Sequence, residues 1–371
     1  MIVGRCTPDG THRFKNKALK RGVHERHFKE AGGLLLTSIG IGTYIGDLDP
    51  VTDAYMIQAV KESVMSGACN VIDTAINYRF MRSERCVRIA LNELIEGGHI
   101  ERDEVLVCTK AGYLTHDHER GTDYEGYITR NLLTTNVFSP DEIVAGIHSI
   151  SPRYLSWSVE KSLDNMGVEV IDVLYLHNVA ENQVPVVGPH VFRRRISDAF
   201  TRLEELRDRG MISYYGLATW NSLRVVMDAE VHTNLADIVS MAREIGGSNH
   251  GFKFVQLPFN LKMTEALTSR NQLVGTEVLS VFEACERLNL IPVTSAPLLE
   301  GMLLREVRGS VIRGLSRAQS LIQFARSSPS KCALVGQKDP AHLKENLELS
   351  RVQPLSDEEF ERVLIENSSQ G

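Results

Sequence analysis

The sequence predicts a (β/α)8 TIM barrel with long loops over its C-terminal mouth. Three observations carry that expectation: eight short runs rich in Val, Ile and Leu, a stretch of helical periodicity after each run, and ionisable residues at the ends of three successive runs. Continuous apolar runs suit strands buried on both faces, and their alternation with helices suits parallel strands joined by crossovers. Eight such units point to a closed barrel, although an open doubly wound sheet shares the alternation.

In chain order, strands are expected at Ser38–Gly42, Asn70–Thr74, Glu104–Lys110, Ile171–His177, Ser213–Thr219, Phe254–Phe259, Ile291–Ser295 and Ala333–Gly336. Helices are expected at 53–66, 84–97, 154–166, 197–209, 222–230 with 235–245, 276–289, 316–327 and 340–349. Asp339 and Pro340 supply an N-cap and a first-turn proline to the last of these, and Gly210 follows the helix ending RDRG. Two connections exceed what a barrel needs, Tyr113–Pro152 and Asn178–Ile196, and both leave the C-terminal ends of strands, where barrel active sites form. Residues 1–34 read as an N-terminal extension and 35–371 as one barrel domain, with no internal repeat or low-complexity tract. The basic segment HRFKNKALKRG (12–22), after the turn signal Pro8-Asp9-Gly10, reads as an extended surface arm.

A chain of 371 residues with 43% hydrophobic and 24% charged residues has the material for a full core. A net charge of −6 without a block of one sign gives no footprint for nucleic acid, so a small-molecule partner is expected. Cys6, Cys69, Cys86, Cys108, Cys285 and Cys332 fall in no ligand spacing, which suits reduced, buried thiols and a cytoplasmic compartment. No apolar run approaches the length needed to span a bilayer, and the N-terminus lacks the apolar stretch of a secretory signal.

The chemistry sits in Asp73 and Tyr78 of VIDTAINY, Lys110 of VLVCTK and His177 of VLYLH. Each ends, or just follows, a run built for burial, where an unpaired charge is costly, so these residues are expected to partner one another. An ammonium beside a tyrosine favours tyrosinate, which would bring the phenol down from about 10 toward working pH. Such a phenol can exchange a proton with a carbonyl oxygen, and a nearby imidazole can orient that oxygen. Taken singly, a strand-end histidine, a turn aspartate, a loop tyrosine and a snorkelling lysine each have a structural explanation; together, at adjacent strand ends, they point to a site.

The segments VIDTAINYR…SERCVRIAL, VLVCTK, IDVLYLHN and LVGQKDPAHLKENL, in this order and spacing, resemble the motifs of the aldo-keto reductases from about Leu35 onward. The resemblance implies Tyr78 as general acid, Lys110 and Asp73 as its tuning pair, His177 as the residue that positions the carbonyl, and hydride transfer from a nicotinamide. It also implies a cofactor path. Gly42, Thr43 and Tyr44 of GIGTYIGD match residues near the nicotinamide ribose, and Gln256 of FVQLPFN matches the carboxamide-binding glutamine. The family's serine-asparagine pair is Ala218-Thr219 here, leaving Thr219 to share that work, and its stacking aromatic is Ser295. Pro297, Leu298 and Gly301 follow along the same path. The glycines of the first strand end do not have the dinucleotide spacing GxGxxG.

Phosphates are expected at the last two strand–helix loops, on Gly336 and the amides that open the helix at Pro340. Lys338 is placed for a ribose 2′-phosphate and His342 stands where many relatives carry arginine, while Glu345 and Asn346 match adenine contacts. NADPH is therefore favoured over NADH, despite Asp339 and Glu300 nearby. Arg193-Arg194-Arg195 are within conceivable reach of an acidic substrate or are a solvated face, and His116, His118 and His148 fit no metal spacing, so no metal site is predicted.

The expected protein is an NADP-dependent carbonyl reductase or alcohol dehydrogenase. Two alternatives follow from the altered ring pocket at Thr219 and Ser295: a lyase or epimerase on the same scaffold, and an NADP(H)-sensing subunit with little turnover.

Overall fold

The computed structural model describes residues 1–121, 123–306 and 312–368. Eight parallel strands close a barrel: β1 Ile39–Gly42, β2 Val71–Asp73, β3 Leu106–Ala111, β4 Ile171–His177, β5 Ile212–Ala218, β6 Phe252–Pro258, β7 Ile291–Ser295 and β8 Cys332–Gly336. Each expected strand is present, and each pairs with its neighbours in sequence until β8 closes on β1. The helices that follow these strands in turn are α1 Pro50–Met65, α2 Arg82–Glu96, α3 Pro152–Met166, α4 Val179–Asp208, α5 Leu235–Gly246, α6 Val281–Arg287, α7 Arg317–Ser327 and α8 Pro340–Leu347. One apolar layer fills the space between strands and helices. A second, including Val71, Leu106, Cys108, Val173, Tyr175, Phe254, Val293 and Leu334, fills the barrel itself. Packing on both faces is why the strands read as unbroken apolar runs. All six cysteines are free and buried, and no described helix is long and apolar enough to cross a membrane.

Strand register places the chemistry. Gly336 pairs with Gly42, Gly42 with Asp73, and Asp73 with Cys108. Because side chains alternate faces along a strand, Lys110, two residues past Cys108, shares its inward direction. His177 pairs with Ala218, which pairs with Gln256, so the C-terminal rim carries polar residues around much of its circumference.

Four expectations are corrected. The 12–22 segment is not an extended arm but most of a helix, Pro8–Lys20, capped by the Thr7 hydroxyl, which accepts from the Gly10 amide. Its buried stripe is Gly10, Thr11, Phe14 and Ala18, too poor in large apolar residues to show as periodicity. A Cβ on Gly10 would lie 2.0 Å from the Asp103 carbonyl oxygen, so the helix seats directly on the turn before β3. The antiparallel hairpin Phe28–Ala31 with Leu34–Thr37 follows, turning through Gly32 and Gly33, both left-handed, and adds Ala31, Leu34 and Leu36 to the apolar layer within the barrel.

The Asn178–Ile196 connection is helical rather than a loop: α4 starts at Val179 and breaks only at Gly188 (φ 74°), between Pro185 and Pro189. The expected helix at 222–230 is a series of turns, because the side chain of Asn271 takes the carbonyls of Leu223 and Val225 that a helix would use. The expected helix at 276–289 begins instead with a short hairpin, Gln272–Val274 with Glu277–Leu279, and turns helical only after the Ser280–Glu283 capping box.

The Tyr113–Pro152 connection is a long insert, as expected. It carries short helical turns and a satellite core of Leu114, Ile128, Leu132 and Phe138 against Tyr154 of α3.

Candidate active site

Asp73, Tyr78, Lys110 and His177 converge at the C-terminal mouth. Lys110 is 1% exposed and donates from Nζ to Asp73 Oδ2 at 2.5 Å and to the Thr74 carbonyl at 2.9 Å. The same Nζ lies 4.6 Å from the centre of the Tyr78 ring. His177 meets that ring edge-on, centroids 6.0 Å apart, and Tyr44 lies 5.0 Å away on another side. Asp73 Oδ1 accepts from Gln256 Nε2 at 2.8 Å, so the carboxylate is held from two directions.

The electrostatics amend one expectation. Burial pushes the Tyr78 phenol above its ordinary value; Lys110 pulls it down but does not win, so it is not lowered toward neutrality. Burial also works against the Lys110 charge, yet Asp73 and Tyr78 outweigh it and hold the ammonium above its usual range. His177 is driven well below the ordinary imidazole value by burial, then by Lys110 and His148, and is a neutral ring. His148 Nε2 donates to the His177 carbonyl oxygen at 2.8 Å, and Gln183 Nε2 donates to His148 Nδ1 at 3.0 Å.

The turn that follows Tyr78 is unusual. Arg79, Phe80 and Met81 are all left-handed, with φ of 48°, 51° and 73°, a conformation that disfavours side chains. Arg79 secures it: its guanidinium is buried, donates to the Asp47 carbonyl at 2.9 and 2.7 Å and to Asp53 Oδ1 at 2.6 Å. Arg82 pairs with the other oxygen of Asp53. The segment that carries Tyr78 is thus tied to the 44–49 loop and to the start of α1.

Above these residues opens a cavity of about 470 Å3, lined by Tyr78 and His177 and by Gly42, Thr43, Tyr44, Thr219, Gln256, Ser295, Pro297, Leu298, Gly301 and Gly336. A second space of about 270 Å3 shares Gly42, Ile45 and Gly336 with it and reaches Lys338 and His342. Most of the expected cofactor residues therefore line these two adjoining spaces. Glu345 and Asn346 line neither space, although Asn346 is buried and its Oδ1 has no partner among the described residues. The amides at the start of α8 are not open to an anion: Asp339 Oδ1 accepts from Ala341 and His342 at 2.9 and 3.1 Å, so Asp339 caps the helix. Glu300 lines the main cavity.

The arginine triple lies on α4, away from the main cavity; Arg195 donates to Gln183 and to the Asp141 carbonyl, both at 2.8 Å. His116 and His118 pack against Phe80 in the insert.

Reading the sequence missed Tyr113, Asn77, Asn178 and Trp220, all of which line the cavity. Tyr113 and Trp220 each stand just past a strand end, which was the available signal. Glu181 fixes Trp220, its Oε1 accepting from the amides of Trp220, Asn221 and Ser222 at 2.9, 2.9 and 3.0 Å.

Comparison with known proteins agrees with this barrel. The model of the aldo/keto reductase family matches residues 38–312, and the chain belongs to that family of oxidoreductases. Among curated proteins, a D-threo-aldose 1-dehydrogenase from Pseudomonas sp. is 25% identical over 206 residues, 54% of this chain and 56% of that protein, so the match spans little more than half of the relative. Among solved structures, the holo form of an aldo-keto reductase from Bacillus halodurans superposes with a TM-score of 0.58 at 16% identity, covering 91% of this chain and 94% of that one. An aldo/keto reductase from Klebsiella pneumoniae, in complex with NADP and acetate, gives 0.58 at 18% identity, covering 89% and 91%. At these identities the likeness is one of fold.

Proposed function

We propose that this protein moves hydride between NADP(H) and a small carbonyl or alcohol, with Tyr78 exchanging the proton on the substrate oxygen. The observation that carries the reading is the Lys110–Asp73 pair beneath Tyr78, at the base of a cavity whose adjoining space reaches Lys338.

The residues of these two spaces fit a nicotinamide dinucleotide. The Thr219 hydroxyl is buried on the cavity wall with no partner among the described residues, and a carboxamide would satisfy it. Lys338 offers a cation at the far end, where a 2′-phosphate would distinguish NADP from NAD. The solved relative bound to NADP supports the same choice.

When bound, the nicotinamide supplies or accepts hydride at the carbonyl carbon. Tyr78 holds its proton firmly and is suited to give it to an oxygen gaining negative charge. Lys110 places positive charge next to the phenolate that remains, which lowers the cost of that transfer. Asp73 fixes Lys110, and neutral His177 can orient the carbonyl without competing as an acid. The aldose-oxidising relative makes polyhydroxylated compounds reasonable candidates in either direction. Ser295 in place of a stacking aromatic favours a second reading, a non-redox enzyme that uses the same acid–base group.

Thermal unfolding with NADPH, NADH or neither tests the proposal. Ligand at about 100 times its dissociation constant adds about 2.7 kcal/mol, enough to raise the midpoint by several degrees. NADPH is expected to shift wild type more than NADH does, and Lys338→Ala is expected to erase the difference. No shift with either nucleotide, in protein freed of retained nucleotide, would overturn the reading.

A further inference from the structure

Tyr113 stands just beyond β3, three residues past Lys110, and lines the main cavity. Its ring meets His177 edge-on with centroids 5.0 Å apart, while Tyr78 meets the same imidazole at 6.0 Å, so two phenols flank one histidine. Unlike Tyr78, Tyr113 has no cation over its ring among the described residues. Its oxygen accepts two amide hydrogens, from Asn178 Nδ2 at 3.2 Å and Asn182 Nδ2 at 3.0 Å.

The residues that carry those amides are themselves placed. Asn182 Nδ2 also donates to the Asn178 carbonyl at 2.7 Å, and the Asn178 backbone N–H donates to the Ala218 carbonyl at 2.7 Å at the end of β5. The Tyr113 backbone is pinned too, its carbonyl accepting from Tyr154 Oη at 2.6 Å. A phenol oxygen can accept hydrogen bonds and carries a single donor proton. Tyr113 Oη already accepts from two amides, and among the described residues no acceptor receives its proton. The phenol is therefore preset as a donor on the wall of the cavity.

We infer that Tyr113 donates a hydrogen bond to a second oxygen of the substrate, close to the carbonyl served by Tyr78. The site is accordingly selective for carbonyl compounds that carry a neighbouring ether, hydroxyl, oxo or carboxylate oxygen. A plain aldehyde offers the Tyr113 proton no partner, which is how a polar group discriminates against a substrate lacking its complement. This assignment rests on the carbonyl-oxidoreductase reading above.

Butanal and methoxyacetaldehyde test it, because they match in length and differ by one ether oxygen that can accept but not donate. Relative kcat/KM with NADPH is measured for wild type and Tyr113→Phe, and the ratio of the two preferences cancels the aldehydes' intrinsic reactivities. Tyr113→Phe is expected to lower kcat/KM for methoxyacetaldehyde about tenfold and to leave butanal within about twofold. Asn182→Ala, which removes one of the two amides and lets the phenol turn, is expected to lose about threefold of the same preference, and serves if Tyr113→Phe fails to fold. Equal losses for both aldehydes, or no loss for either, in variants that turn over would overturn the inference and leave the oxidoreductase reading intact. Failure of wild type to turn over any carbonyl or alcohol with either nicotinamide would overturn that reading and this inference with it.

Discussion

Lys110 Nζ and Asp73 Oδ2 are 2.5 Å apart, and the two side chains are only 1% and 5% exposed. Neither charge is tolerable alone at that depth, so the pair is a condition of the fold as well as of the chemistry. Lys110→Met leaves Asp73 buried without its cation and is expected to cost about 3–5 kcal/mol, read from urea unfolding. The sign of the pH effect follows from the raised Lys110 value: the contribution of the pair is complete below the unfolded lysine's pKa and fades only as pH climbs through the higher folded one. A Lys110→Met protein as stable as wild type would show that the pair is not formed in solution.

The direction of the Tyr78 and His177 shifts predicts the pH profile. Tyr78 is held above the ordinary phenol value of about 10, so it keeps its proton through neutrality, and His177 is already neutral there. Carbonyl reduction is expected to be flat in kcat/KM from about pH 7 to about pH 9 and to fall above about 10, whereas alcohol oxidation, which needs the phenolate, rises throughout. A reduction limb titrating near 7 would mean that another acid is used.

Arg79 bears on geometry rather than on charge. It secures three left-handed residues after Tyr78 against the 44–49 loop, and Arg79→Met removes every one of those side-chain hydrogen bonds. Because small displacements of a reacting group are expensive, kcat is expected to drop about 10- to 100-fold with nucleotide affinity retained. Arg79→Lys should recover part of the loss. Unchanged kcat in Arg79→Met would show that the turn holds without it.

Phe14 tests the N-terminal helix. It is 1% exposed and packs near Phe28, with ring centroids 6.4 Å apart. Phe14→Ala is expected to destabilise the protein by about 3–5 kcal/mol in chemical unfolding, whereas a surface arm would show no change.

These cases mark how far the sequence could be read. All eight barrel strands were legible because burial on both faces makes each a dense apolar run, and Asp73, Tyr78, Lys110 and His177 stood out as the polar breaks at their ends. The N-terminal helix was hidden because its buried face is Gly10, Thr11, Phe14 and Ala18, a stripe chosen for close approach rather than for apolar area. The α8 amides were misjudged because local hydrogen bonds to Asp339 compete with an external anion, and a sequence shows both partners without deciding between them. The net rise of Tyr78 depends on how burial and Lys110 balance, which only the assembled site settles. Tyr113 escaped notice because its role depends on Asn178 and Asn182, which lie 65 and 69 residues away.

The most direct test of the central claim is Tyr78→Phe, assayed for carbonyl reduction and, separately, for NADPH binding by titration. Turnover is expected to fall by about 10²- to 10⁴-fold while NADPH affinity stays within a few-fold of wild type, because the ring remains and only the proton donor is lost. A Tyr78→Phe protein that reduces carbonyls as fast as wild type would contradict the account.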